Sequence, residues 1–125
     1  MCVFKKVSLD KTARSELHDI LGLTGCEISV NRCDKGQGVP FVHSHDQNEE
    51  VYGILEGRGE LYIDGSVHAV KAGDWFRISP AGKRALKSDD DSSMVYICIQ
   101  TKENSLEKFT MGDGQICEEK APWQN

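Results

Sequence analysis

The 125 residues carry a formal net charge of −5, with 38% hydrophobic and 28% charged side chains. That composition belongs to ordinary globular chains rather than disordered ones, and the length suits one domain. No basic cluster exceeds the pairs Lys5–Lys6 and Lys83–Arg84, which argues against nucleic acid as a partner, and no apolar run approaches the 18 residues of a membrane span. The opening Met-Cys-Val-Phe-Lys-Lys lacks an apolar signal core and a small-residue cleavage site, so the cytoplasm is the expected location. Cys2, Cys26, Cys33, Cys98 and Cys117 are odd in number and never spaced C-x-x-C. They read as reduced thiols, several of them buried as small hydrophobes.

Along the chain, Leu17, Ile20 and Leu21 recur at helical spacing between a capping Thr12 and a terminating Gly22. This predicts a short helix over Thr12–Leu21 packed on the outside of the strands C-terminal to it. From Cys26 the pattern is all β: short apolar runs at Glu27–Asn31, Pro40–His45, Glu50–Leu55, Gly59–Ile63, Ser66–Val70, Trp75–Ser79, Ala85–Lys87 and Met94–Gln100. Asp64-Gly65 is a hairpin turn signal, since both residues tolerate positive φ. Glu56–Gly59 and Lys71–Asp74 read as further turns. Many short strands at this spacing indicate a sandwich or a barrel. Ser88–Ser93 holds three adjacent aspartates but lacks the Gly and distal Glu of an EF-hand loop, so it reads as a solvated loop. Residues 1–25 form an arm and helix, 26–100 the barrel and 101–125 a mostly polar extension.

The chemistry concentrates at His43-Ser44-His45. On a strand, residues i and i+2 share a face, so both imidazoles point the same way. A turn over Asp46–Glu49 then leads to Glu50, which opens the next strand. If the two strands are neighbours, Glu50 folds back beside the histidines. Two imidazoles and a carboxylate suit one divalent Fe, Mn, Zn, Ni or Cu ion. Tyr52 shares the strand face of Glu50 and is a candidate pocket residue. Arg77, unusual in the apolar run Trp75–Ile78, could clamp an anion if it faced inward and is a solvated or interface charge if it faces outward, and Gln100 could reach the pocket from the last strand. His68, after the hairpin turn, and His18, in the predicted helix, read as surface residues.

The stretch His43-Ser44-His45-Asp46-Gln47-Asn48-Glu49-Glu50 through Gly57 resembles the first motif of the cupin superfamily: His-x-His, a Glu after three or four residues, then Gly after six more. Glu50 satisfies both spacings. The Gly that usually stands six residues before the first His is bracketed here by Gly36 and Gly38. The second motif resembles Gly73–Gly82, with one extra residue before Pro80 that suggests a bulge. The resemblance covers Cys26 to about Gln100. It implies a double-stranded β-helix, a jelly-roll barrel, holding a metal at His43, His45 and Glu50 and a small-molecule ligand, in a homodimer paired through a sheet. The fourth metal ligand of such proteins, a His three residues after the Pro-x-Gly glycine, falls here on Ala85. The resemblance therefore leaves two readings. One is a three-ligand metal site with open positions, serving an enzyme acting on a small organic substrate. The other is a degenerate site in a non-catalytic barrel that binds or senses a sugar or metabolite.

Overall fold

The computed structural model describes residues 2–125. In chain order it contains β1 (Arg14–Glu16), α1 (His18–Leu21), β2 (Glu27–Cys33), β3 (Asn48–Ile63), β4 (Ser66–Lys71), β5 (Trp75–Ile78), β6 (Arg84–Ser88) and β7 (Met94–Lys102), then one 3-10 turn at Thr110–Gly112. The strands form the all-β barrel expected from the sequence, in the order β1-β2-β7-β3-β4, with β5 and β6 also paired to β3. No helix among the described residues is long and apolar enough to cross a membrane.

The predicted helix shrinks to His18–Leu21, closed by Gly22 at φ 66. Residues 14–16 instead form β1, an edge strand on β2, with Arg14 opposite Asn31 and Glu16 opposite Ser29. One helical turn carries little stability of its own, and the open edge of β2 offers the arm its backbone hydrogen bonds. Arg32 N–H donates to Ala13 O (2.8 Å) and Leu17 N–H to Ile28 O (2.9 Å).

The central element is β3, sixteen residues long. The sequence reads two strands there, separated by a turn at Glu56–Gly59; the structure has one strand that bends. Its first half pairs with β7, and over Glu50–Gly53 also with β5. Its second half, Arg58–Ile63, lies between β4 and β6. A register shift between Ile54 and Glu56 marks the crossing point, and such bulges bend a strand and sharpen its twist. Gly57 makes the bend possible. It has φ 77, and a Cβ there would lie 1.8 Å from Ser93 O. The Asp64-Gly65 turn forms as expected, with φ 46 and 90.

Alternation on these strands builds the core from Tyr52, Ile54, Leu61, Val70, Ile78, Leu86, Met94, Tyr96 and Cys98. The aspartate-rich loop is tied down by Arg58, whose guanidinium lies 3.2 Å from Asp89 and 2.7 Å from Asp91. The arm before β1 and the chain after β7 leave Phe4, Leu106, Phe109, Ile116 and Trp123 exposed. Gly57→Ala is expected to lower stability by about 2 kcal/mol or more, from left-handed strain plus a backbone clash. Urea unfolding followed by fluorescence reads this as a drop in midpoint at unchanged slope.

Candidate metal centre

The His43–His45 segment is extended but is not a regular strand, nor does it pair with β3. It lies against the start of β6. His43 N–H donates to Arg84 O and Arg84 N–H donates to His43 O, both at 3.0 Å, while His45 N–H donates to Pro80 O at 2.8 Å. Two residues that exchange both backbone bonds project their side chains to the same face. His43 and Arg84 therefore both enter the barrel, and His45 follows two residues on. The imidazole centroids lie 5.1 Å apart, nearly perpendicular.

Glu50 approaches from the other sheet. It sits on β3 between Ile78 of β5 and Gln100 of β7, 3% exposed. Its carboxylate is surrounded by donors. Tyr52 Oη–H donates to Oε1 (2.8 Å), Arg84 Nη1–H donates to Oε1 (3.0 Å) and Cys98 Sγ–H donates to Oε2 (3.2 Å). Arg84, 1% exposed, also donates from Nη2 to Ser79 O at 2.9 Å. His43 Nε2 stands 3.8 Å from Oε1 and His45 Nε2 3.3 Å from Oε2. One ligand atom from each of His43, His45 and Glu50 falls within 4.8 Å of the others.

Burial pushes the His43 imidazole below its ordinary pKa; Glu50 opposes this, and the charges of Arg84 and His45 add to it. The ring is thus held in the neutral form that ligates metals. Burial by itself raises the Glu50 carboxyl. Hydrogen bonds from Cys98 and Tyr52, with the charges of His45 and Arg84, outweigh it and hold the group below its usual range. Burial, then the adjacent Glu50 charge, pushes the Cys98 thiol up to about 12. Cys98 remains a thiol that donates to the carboxylate, not a thiolate. The trio opens onto a cavity of about 600 Å³, whose apolar wall includes Val39, Pro40, Phe41 and Tyr96.

The sequence model of the cupin domain matches residues 32–100, more than half of the chain. The chain belongs to the cupin family. It is similar to a cupin protein of Bacteroides fragilis, with 52% identity and a TM-score of 0.91 over 94% of this chain and 99% of that one. A cupin 2 conserved barrel domain protein of Salinispora arenicola shares the fold at 17% identity, with a TM-score of 0.70 over 82% of this chain and 92% of that one. An uncharacterized protein of Methanocaldococcus jannaschii is 33% identical over 58 residues, 46% of each chain. This cupin thus spans about half the length of that curated relative.

The structure brings His43, His45 and Glu50 together and places Tyr52 and Gln100 on the cavity wall. Gln100 Oε1 accepts from Asn48 Nδ2 at 3.1 Å. Two positions require correction. Arg77 points outward: alternation on β5 half-buries Phe76 and buries Ile78 and leaves Arg77 exposed, donating to Ser79 Oγ at 3.1 Å. Ala85 is not the inward residue of β6. It stands opposite Tyr62 on a shallow outer surface with Val67 and Lys87, while Arg84, Leu86 and Ser88 are buried. The residue beside the histidines is therefore Arg84, which in the sequence stands out only as half of the basic pair Lys83–Arg84. The extra residue in the second motif and the alternation around Leu86 were the available signals. His68 is exposed on β4, and His18 pairs with Asp19 at the surface.

The donor set fits a divalent transition ion. Among the described residues, His45 Nε2 is buried with no hydrogen-bond partner, and Glu50 Oε2 accepts only from Cys98, which leaves a lone pair for an ion. Arg84 acts in the opposite sense, because it already supplies Glu50 with a positive charge. Glu50 and Arg84 are 4% and 1% exposed at the side chain, so neither is stable there alone. Glu50→Leu or Arg84→Met alone in the metal-free protein is expected to cost about 3–5 kcal/mol, whereas the two together recover most of the loss. Chemical denaturation of the three variants in chelator checks this as a double-mutant cycle.

Proposed function

We propose that this cupin binds one divalent metal ion through His43, His45 and Glu50 at the floor of its cavity, and presents open coordination positions to a small organic substrate. The observation that carries this reading is the buried, unpartnered Nε2 of His45 beside the free lone pair of Glu50 Oε2. An ion held there would supply Lewis-acid polarisation of a substrate oxygen. The protein's part is to orient and exclude. Tyr52, Cys98 and Arg84 fix the carboxylate, while the aromatic and aliphatic wall shields the bound molecule from water. Tyr52 Oη and Cys98 Sγ both spend their protons on Glu50, so neither is a ready general acid.

A second reading has its own observation. The fourth-ligand position of the resemblance, Ala85, faces away from the histidines, and the inward residue next to it is Arg84, whose guanidinium already neutralises Glu50. In this reading the barrel binds a small molecule without metal and without turnover. We also propose a homodimer, supported by the apolar side chains that both termini leave exposed; light scattering reads its mass.

Metal analysis separates the two readings. The metal reading expects about one equivalent of Mn, Fe, Ni, Cu or Zn to stay with the protein after incubation and gel filtration. His45→Ala should lose it, and Arg84→Met, which removes the competing cation, should bind roughly tenfold tighter. A wild-type protein that retains none of these ions favours the second reading.

A further inference from the structure

The chain is acidic as a whole, with 20 Asp and Glu against 15 Lys and Arg, yet its cavity is not. Its charged lining residues are Arg14, Arg32 and Glu50, and Arg84 balances Glu50 from behind. The surplus charge on the wall is positive.

Arg14 is held in place by a device that the metal site does not use. It lies on the short edge strand β1, opposite Asn31. Its Nη1 donates to Asn31 Oδ1 at 2.8 Å, and Asn31 Nδ2 donates to Ser29 Oγ at 2.9 Å. Ser29 and Asn31 are buried, at 2% and 5% exposure. A buried Ser–Asn relay satisfies itself and at the same time fixes one arm of a guanidinium. Arg14 Nε donates to Glu16 at 2.9 Å, an exposed pair that contributes little. The second terminal nitrogen, Nη2, makes no hydrogen bond to the protein among the described residues, so it can serve a ligand.

We propose that Arg14 is the ligand-anchoring residue of this cavity, and that the cavity takes a small organic acid. The carboxylate sits on Arg14, the apolar body lies against Val39, Pro40, Phe41 and Tyr96, and the far end reaches toward His43, His45 and Glu50. An oriented guanidinium is the side chain best matched to a planar carboxylate. The apolar wall favours an organic acid over a hydrated sugar. This rests on the cavity being the ligand site, and it does not require a metal in it.

Matched acid and amide pairs isolate the charge. Phenylacetate against phenylacetamide, 4-hydroxybenzoate against its amide, and pyruvate against pyruvamide are titrated by ligand-observed NMR into the full chain, first in EDTA and then after zinc addition. At least one acid is expected to bind tenfold or more tightly than its amide already in EDTA, with the preference fading as salt rises. Arg14→Gln, on a half-exposed edge strand, should remove that preference while the melting temperature and metal uptake stay as in wild type. Asn31→Ala should weaken the preference, and Arg77→Gln, on the outer face, should leave it intact. The proposal is overturned if no acid outbinds its amide in EDTA, or if the preference survives Arg14→Gln. It is also overturned if the preference emerges only with zinc, which would assign the anion to the metal. Loss of metal uptake with the EDTA preference retained would sink the metal reading alone.

Discussion

A single buried ion pair organises the interior of this barrel. Glu50 and Arg84 come from strands in different parts of the fold, and each is almost inaccessible to water. Neither charge could be buried alone. Once they are paired, the surrounding polar groups fall into place. Tyr52 and Cys98, facing each other across β3 and β7, complete the shell around the carboxylate. Ser79 O takes a second arm of the guanidinium. His43 is drawn in as the backbone partner of Arg84, and His45 follows it. The pair thus ties β3 to β6 beside the two histidines.

The same pair adjusts the chemistry of the site. A carboxylate beside two imidazoles attracts a divalent ion, but one already carrying a guanidinium does so less strongly. Any affinity of the proposed site for a metal would be a difference between ligand attraction and cation repulsion. One face of Glu50 is committed to protein donors, and the other is left toward His45. The trio faces the cavity.

Much of this was legible from local pattern. The His-x-His pair and Glu50 do come together as the sequence expects, but by another route: the histidines lie against the start of β6 and not beside β3. The Asp64-Gly65 turn was readable because its positive φ values demand such residues. What failed depended on distant partners. The helix expected from Leu17, Ile20 and Leu21 reaches back to Thr12, yet β2 offers residues 14–16 a sheet edge. Glu56–Gly59 has turn composition, yet strands on both sides keep it extended through a bulge. Arg84 had no role in the sequence pattern, because only the register against His43 turns it inward. The relay from Ser29 through Asn31 to Arg14 spans two strands seventeen residues apart and leaves no mark in any one segment.

The central question is whether an ion can share Glu50 with Arg84. A crystal soaked in manganese and measured at a wavelength that gives manganese anomalous signal tests this directly. One anomalous peak is expected within about 2.0–2.3 Å of His43, His45 and Glu50 Oε2, with Oε1 still accepting from Arg84. A map with no peak there, or with a peak elsewhere and the trio unchanged, would contradict a metal centre at these three residues.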